Sequence, residues 1–244
     1  MALREDEFIS KLTTVFSENG LGKLINKEKA TKFFKLTEYM LEENEKYNLT
    51  AITEPDKIIL LHYLDCAVLA EKLKCGATVA DIGCGAGFPT LPMAILREDL
   101  KITAIDSTAK RIDYVKRCAD MLELSGVVAI AMRAEDGGRS PEYRERFDYA
   151  TARAVAEMRI LTELCMPYVK KGGEFIAMKG KNAEFELKSA KRAIAILGGR
   201  DAKIETVTLR GTEVHSHPLI TISKAEKTPS TYPRPYAQIA KKPL

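Results

Sequence analysis

The sequence predicts an α/β protein whose seven-stranded sheet is mostly parallel and ends in an antiparallel hairpin. Residues 1–75 repeat apolar side chains at helical spacing and predict a small helical region before the sheet. From residue 76 onward, five β-rich runs alternate with helical segments, which is typical of a parallel sheet covered on both faces. Two further strand-like runs, 203–209 and 218–223, are separated only by a loop, so they should pair antiparallel.

The first region is predicted to contain three helices. Phe8, Leu12 and Phe16 share one face of a helix over 6–19, which glycines at 20 and 22 bring to an end. The same spacing predicts a second helix over 27–47. A third begins near Thr53, where a capping residue precedes a proline in the first turn, and runs to about residue 73.

The predicted sheet follows, with each parallel strand joined to the next through a helical segment. We expect parallel strands over 77–82, 100–106, 127–132, 147–153 and 173–179. The helices that accompany them are predicted over 91–96, 109–124, 157–169 and 183–197.

Length and composition limit the class of protein. The 244 residues suffice for one large α/β domain with a smaller accessory region, and we divide them into 1–75, 76–224 and a basic, proline-rich tail over 225–244. A content of 45% hydrophobic and 30% charged residues is ordinary for a globular protein. No run approaches the roughly 20 apolar residues of a membrane span, and the amino terminus lacks a signal-peptide pattern. We expect a cytoplasmic monomer without a membrane partner.

Cysteine and histidine usage argues against disulfides and metals. The five cysteines form no C-x-x-C pair and are widely scattered, which predicts reduced thiols; they are Cys66, Cys75, Cys84, Cys118 and Cys165. His215 and His217 fall in the predicted hairpin loop, where no cysteine accompanies them and Glu213 is the one acid close in sequence, too few ligands for a metal. No metal site is predicted there.

A glycine-rich stretch directly after the first strand is the sharpest local signal. Residues 81–88 read DIGCGAGF, so that Asp81 ends the strand and Gly83 and Gly85 open the turn. Glycines allow a tight turn and let a ligand approach the backbone. Phe88 occupies the position of the third glycine in the dinucleotide-binding fingerprint, which disfavours NAD.

Polar residues follow the next two strands. Asp106, with Ser107 beside it, ends the second strand, where a carboxylate can accept both hydroxyls of a ribose. Ala134 and Glu135 follow the third strand, where an adenine would lie. NAD enzymes also use an acid for the ribose, so Asp106 alone does not choose the cofactor. Together the three strand ends predict a site for a nucleoside-type cofactor.

The carboxyl-terminal tail carries unusual charge. Residues 225–244 contain four of the ten prolines, and only Glu226 opposes four cations, Lys227, Arg234, Lys241 and Lys242. This composition predicts an extended basic arm that binds nucleic acid.

Five βα units closed by an antiparallel hairpin resemble the seven-stranded, Rossmann-like fold of class I methyltransferases. Stretches along nearly the whole chain carry a further resemblance: 47–53 (YNLTAIT), 62–65 (HYLD), 81–89 (DIGCGAGFP), 106–111 (DSTAKR), 133–135 (RAE), 151–156 (TARAVA), 178–180 (MKG) and 232–234 (YPR). In this order they resemble the bacterial ribosomal RNA small-subunit methyltransferase G family, also called glucose-inhibited division protein B. Thr90 departs from the glycine usual in the family, and the tail lacks a Gly-Thr-Pro-like piece.

The resemblance implies methylation of guanine N7 in small-subunit (16S) ribosomal RNA, free or in the 30S particle. It implies S-adenosylmethionine as the methyl donor, without a metal. It also implies that cofactor contacts or their surroundings include Gly83, Phe88, Ala134, Glu135 and Arg153.

The chemistry of N7 fits the residues at hand. N7 carries a lone pair and no proton, so its attack on a methyl group needs neither a general base nor an enzyme nucleophile. Alignment can supply roughly 7–11 kcal/mol. The candidate catalytic residues are Arg153 and Lys179, which end the fourth and fifth strands, and His62. His62 could equally be a core histidine, since leucines surround it on its helix.

Residues expected to contact RNA are polar or cationic positions near the strand ends and in the tail: Asn48, Arg133, Lys181, Arg234, Lys241 and Lys242. Three alternatives remain open. A small-molecule methyltransferase would share the glycine-rich loop but would not need the basic tail. An NAD-linked oxidoreductase would need a proton donor that the sequence does not supply. A non-catalytic RNA-binding protein would have no use for residues 81–87.

Overall fold

The computed structural model describes residues 4–153 and 155–244, beginning with the predicted helical region. Helices α1 (Glu5–Glu18) and α2 (Lys27–Tyr47) are joined through a short 3₁₀ turn. The predicted third helix consists of α3 (Pro55–Ile58), a wider π-helical turn and α4 (Asp65–Lys72). Phe8, Leu12 and Phe16 are buried on one face of α1, as their spacing predicts.

The sheet has seven strands in the order β3-β2-β1-β4-β5-β7-β6. Strands β1 to β5 are parallel, whereas β7 runs antiparallel to both β5 and β6. This arrangement confirms the predicted fold class. The strands are β1 (Thr78–Ile82), β2 (Lys101–Asp106), β3 (Val127–Ala131), β4 (Phe147–Arg153), β5 (Val169–Met178), β6 (Gly199–Arg210) and β7 (Val214–Lys224).

Helices cover both faces of this sheet. The remaining helices are α5 (Thr90–Leu96), α6 (Ala109–Met121), α7 (Ala134–Gly137), α8 (Met158–Cys165), α9 (Ala183–Ile196) and α10 (Tyr236–Lys241). The amino-terminal helices, α5 and α6 form one hydrophobic core with one face of the sheet, while α8 and α9 form a second core with the other. The helical region therefore shares its core with the sheet.

Several predicted element boundaries were wrong. Helix α8 ends at Cys165 and β5 already begins at Val169, because Pro167 lies in a 3₁₀ turn between them. The hairpin strands are longer than predicted, since β6 is an exposed edge strand whose ends lack a hydrophobic signal. His215 and His217 consequently lie on β7 rather than in a loop, and His217 does contact an acidic residue, Asp65.

The expectation of an extended carboxyl-terminal arm was also wrong. Residues 225–244, which we call the C-terminal strap, fold back onto the domain and end in helix α10, with Ile239 buried. Arg144 donates hydrogen bonds to the carbonyls of Thr228 and Tyr232, at 2.7 and 2.8 Å. Arg234 is paired with Glu163 on α8. Half-buried donors of Arg144 thus satisfy backbone carbonyls of the strap and hold it against the domain.

All five cysteines lie within residues 4–153 and 155–244, and all are free thiols. Four are buried and Cys75 is exposed. None of the described helices combines the length and apolar character needed to cross a membrane.

Candidate cofactor and nucleotide site

A cleft of about 480 Å³ opens where strands β1 to β4 end. Ligands of open α/β sheets bind at this carboxyl edge. It contains seven of the residues that the sequence nominated for the cofactor, and Arg133 as well; these are Gly83, Gly85, Asp106, Ser107, Arg133, Ala134, Glu135 and Arg153. The three strand ends therefore converge on one cavity.

The glycine-rich loop forms the wall after β1. Gly83 adopts φ +72°, and a side chain there would place its Cβ 2.7 Å from Cγ2 of Val155. Gly85 adopts φ +55°, a conformation that other residues rarely take, and its Cβ position is open. Gly83 is thus required for packing, while Gly85 lets the backbone face the cleft without a side chain.

Asp106 lies at the end of β2 with its carboxylate beside the loop. It is 7% exposed, and its oxygens accept hydrogen bonds from the backbone amides of Gly85 and Thr108, at 3.0 and 2.8 Å. Nη1 of Arg111 lies 3.7 Å from Oδ2 of Asp106. Each carboxylate oxygen can accept a second donor. The backbone therefore fixes the orientation of a carboxylate that retains capacity for ribose hydroxyls.

The direct cofactor contact predicted for Asp81 needs correction, because its side chain lies beneath the loop and outside the cleft. Both of its oxygens accept hydrogen bonds from hydroxyls, Thr90 at 2.6 Å and Thr151 at 3.1 Å. Complete burial raises the pKa of Asp81 to about 6, against the effect of these hydroxyls. Asp81 and Thr90 tie β1 to the start of α5 and support the loop from below.

Phe88 and His62 also lie outside the cleft lining. Their rings stack with centroids 4.3 Å apart, and both are at least 95% buried. Burial, assisted by Arg153, lowers the pKa of His62 to about 3, so the imidazole is neutral. Its Nε2 lies 3.0 Å from Oγ1 of Thr50, and its Nδ1 lies 3.3 Å from Nη2 of Arg153. Both rings contact Arg153. The catalytic role of His62 and the cofactor contact of Phe88 stay predictions.

Arg153 connects the cleft to the amino-terminal helical region. Its guanidinium lies over the Phe88 ring, 5.0 Å from the centroid, and donates to the carbonyl of Leu61 at 3.2 Å. Oδ2 of Asp65 lies 3.7 Å from Nη1 of Arg153. These contacts hold the side chain at the end of β4, where it lines both the cleft and a second cavity.

Lys179, directly after β5, forms an ion pair with Glu186 and is not solvated. Its amino group donates to Glu186 at 2.7 Å and to the carbonyl of Ala156 at 2.8 Å, and the side chain is 8% exposed. The ion pair joins the end of β5 to α9. Lys179 therefore faces the second cavity with its charge already balanced.

The second cavity, of about 220 Å³, lies beside the cleft where β4, β5 and the start of β7 meet. Its walls come from the ends of β4 and β5, the start of β7 and α4: Asp65, Arg153, Met178, Lys179, Gly180, His215 and His217. Because Arg153 borders both spaces, a molecule in the second cavity would lie next to one in the cleft.

The residues nominated for RNA separate into two groups. Arg133, Asn48, Lys181, Lys241 and Lys242 are exposed, and none of them forms an ion pair within the part of the chain that the structure describes. Asn48 ends α2 in a left-handed conformation, next to Leu49 in the cleft. The guanidinium of Arg234 is engaged with Glu163, so we no longer assign Arg234 to RNA.

Sequence reasoning missed several residues of the cleft wall. Ile82, Ile105 and Met132 end or follow the strands and had an available signal, since they adjoin nominated residues. Leu164 reaches the cleft from α8 and Tyr236 from the C-terminal strap. No sequence signal indicates Tyr236, because only the folding of the strap brings it there.

Comparison with known proteins places this geometry in a family. The family model for rRNA small subunit methyltransferase G matches residues 29–215. Ribosomal RNA small subunit methyltransferase G of Clostridium perfringens is 46% identical over 228 residues, which cover 93% of this chain and 95% of that protein. The enzyme of the same name from Lactobacillus acidophilus is 44% identical over 222 residues, covering 89% and 92%.

Solved structures with low sequence identity share the fold. An O-methyltransferase from Bacillus cereus in complex with SAH is 16% identical, with a TM-score of 0.54 over 78% of this chain and 91% of that one. TYW2 of M. jannaschii in complex with AdoMet, also 16% identical, gives 0.52 over 67% and 75%. At this level of identity the solved structures show the fold alone. The family model and the relatives of high sequence identity establish that the chain belongs to the rRNA small subunit methyltransferase G family.

Proposed function

We propose that this protein transfers the methyl group of S-adenosylmethionine to N7 of a guanine in 16S ribosomal RNA. The observation that carries the proposal is the convergence of Gly85, Asp106 and Glu135 on one cleft at the carboxyl edge of the sheet. Family membership supports ribosomal RNA as the substrate class. We further propose that the protein acts as a monomer in the cytoplasm, on free RNA or on the 30S particle.

The cleft residues fit the nucleoside part of S-adenosylmethionine. The carboxylate of Asp106 would accept the ribose hydroxyls, since Gly85 and Thr108 fix its orientation and leave acceptor capacity. Ala134 and Glu135 would lie beside the adenine, with Ile82 and Ile105 as apolar contacts. When bound, S-adenosylmethionine supplies an electrophilic methyl group on a positively charged sulfur.

The residues need not move a proton during the transfer, because N7 of guanine attacks through a lone pair. What remains for the protein is to hold the base against the cleft and exclude competing orientations, which can be worth roughly 7–11 kcal/mol. Arg153 is suited to this because its side chain is fixed by Leu61, His62 and Phe88 and borders both cavities.

The exposed polar side chains would hold the RNA backbone. Arg133 lies at the cleft itself, and Asn48 adjoins it through Leu49. Lys181 follows β5, and two lysines end the C-terminal strap, Lys241 and Lys242. Cations that carry no ion pair among the described residues can replace phosphate counterions without first breaking a bond in the protein.

The test supplies S-adenosylmethionine with a labelled methyl group and compares purified 16S RNA with 30S particles. Methylation at N7 makes RNA cleavable by borohydride and aniline at that nucleotide, so cleavage mapping should yield one strong site. Label transfer without cleavage would contradict N7 as the acceptor atom. Asp106→Ala should abolish transfer, while Asp113→Ala, on the exposed face of α6, should not.

A further inference from the structure

A buried carboxylate in the second cavity has fewer hydrogen-bond donors than it can accept. Asp65 is 8% exposed, and its Oδ1 is in direct contact with Nε2 of His217. Within residues 4–153 and 155–244 its Oδ2 accepts no hydrogen bond, since Nη1 of Arg153 is 3.7 Å away. Buried carboxylate oxygens can each accept more than one donor. The second cavity therefore presents a carboxylate that retains acceptor capacity.

The cations around this acceptor are already occupied. Lys179 is bonded to Glu186 and to a backbone carbonyl, and Arg153 is held by Leu61 and His62. Burial, followed by the neighbouring His215 and Arg153, lowers the pKa of His217, so it adds little positive charge. Phosphate would find no free cation here. A ligand that offers N–H donors suits the cavity better.

The size of the cavity admits a ligand much larger than water. The volume of about 220 Å³ is several times the roughly 30 Å³ that one water occupies in the liquid. Met178 adds an apolar side chain to the otherwise polar lining. Burial raises the pKa of Asp65 to about 7, which Arg153 opposes, and donors from a ligand would favour its ionised form further.

We propose that the second cavity receives the target guanine and that Asp65 recognises its Watson–Crick edge by accepting N1–H and N2–H. This rests on the function proposed above. The two parallel donors of guanine match the two oxygens of a carboxylate. Adenine instead directs its N1 acceptor toward the same position, so Asp65 would reject it. His217 is a positioning residue that holds Asp65 from β7.

The position of the cavity agrees with transfer to N7. N7 lies on a different side of the purine from N1 and N2, so one edge can be held by Asp65 while N7 remains open to the cleft. Arg153 borders both spaces and adjoins Asp65. The guanine would thus enter beside the methyl donor without displacing it.

The experiment replaces the target guanosine, once cleavage mapping has located it, by inosine through RNA ligation. Inosine lacks only the 2-amino group and keeps N7, O6 and N1–H. Loss of one hydrogen bond to a charged group should lower kcat/KM of the wild-type protein about 10–150-fold. In Asp65→Asn the ratio between guanosine and inosine should fall to about threefold or less, and Asp113→Asn should retain the wild-type ratio.

Because both RNAs meet the same preparation, the ratio does not depend on how much of a variant is folded. Equal rates for guanosine and inosine in the wild type would overturn the proposal, whether or not Asp65→Asn folds. So would a ratio that survives in Asp65→Asn, since the 2-amino group would then be recognised elsewhere. A wild type that methylates neither RNA at N7 would contradict the proposed function instead.

Discussion

Arg234 and Glu163 form an ion pair with three hydrogen bonds. The backbone amide and Nε of Arg234 donate to one carboxylate oxygen, both at 2.8 Å, and Nη2 donates to the other at 2.6 Å. Glu163 is completely buried on α8, next to Leu164 in the cofactor cleft. The planar guanidinium matches a carboxylate in this way, whereas a lysine does not. The pair fastens the C-terminal strap to the helix behind the site.

Arg234→Ala should therefore destabilise the whole domain. Leaving one partner of a buried pair alone costs about 3–5 kcal/mol, which corresponds to a melting temperature about 6–20 °C lower at this chain length. Thermal unfolding followed by circular dichroism measures it. Lys242→Ala, which removes an exposed cation of the same strap, should change the melting temperature by less than about 2 °C. Equal, small effects would mean that the strap is not a structural element.

Gly85→Val should abolish cofactor binding in calorimetry and leave the circular dichroism spectrum near native. The substitution adds a branched side chain at φ +55° on the cleft side of the loop. Gly172→Val is the matched control, because Gly172 also has positive φ, +84°, and open space but lies away from the cleft. Both variants incur backbone strain of about 1–3 kcal/mol. Unchanged affinity in Gly85→Val would contradict the assignment of the loop.

Arg153→Ala should lower turnover by about tenfold or more, and cofactor affinity by much less. The reason is that Arg153 borders both cavities and its contacts fix the geometry in which base and methyl group meet. Turnover from steady-state kinetics and affinity from calorimetry separate the two effects. Arg153→Lys should recover little activity, because a single amino group cannot reproduce the contacts with Leu61 and His62. A loss confined to cofactor affinity would make Arg153 a cofactor ligand only.

Lys181→Ala and Lys241→Ala should weaken RNA binding without affecting the melting temperature, since both lysines are exposed. Each lysine that neutralises a phosphate contributes about 0.7–0.9 to the slope of log affinity against log salt. Filter binding at several salt concentrations measures this slope. Lys11, which pairs with Asp56 on the amino-terminal helices, provides a control for the loss of one positive charge. An unchanged slope would exclude the altered lysine from the RNA contact.

Lys224 gives the stability a distinctive pH dependence. It is 2% exposed, and burial lowers its pKa to about 8, although Glu145 opposes the shift. Between pH 8 and 10.5 the unfolded chain binds this proton and the folded chain does not, so this group makes stability rise with pH. The slope is at most about 1.4 kcal/mol per pH unit. Relative to Lys224→Met, urea unfolding should find the wild type gaining stability across this interval. If the unfolding free energies of the two proteins changed in parallel with pH, the lowered pKa of Lys224 would be contradicted.

The sequence by itself determined the arrangement of the sheet. Alternating strand and helix patterns dictate parallel pairing, and the hairpin without an intervening helix dictates the antiparallel end. Three motifs directly after successive strands also had to meet at one edge, so Gly85, Asp106 and Glu135 could be predicted as neighbours. These features depend on local periodicity and on topology, which a single sequence carries.

Contacts between distant segments were decided only by the tertiary structure. The tail has the composition of an extended arm, yet Arg144 and the buried Glu163 bind it over separations of 71 to 88 residues. Likewise, Asp65 and His217 meet because β7 runs back beside β5, which brings it against α4. Pairing energies of this kind depend on burial at the contact, and no local pattern in the sequence records which partner a charged side chain will find.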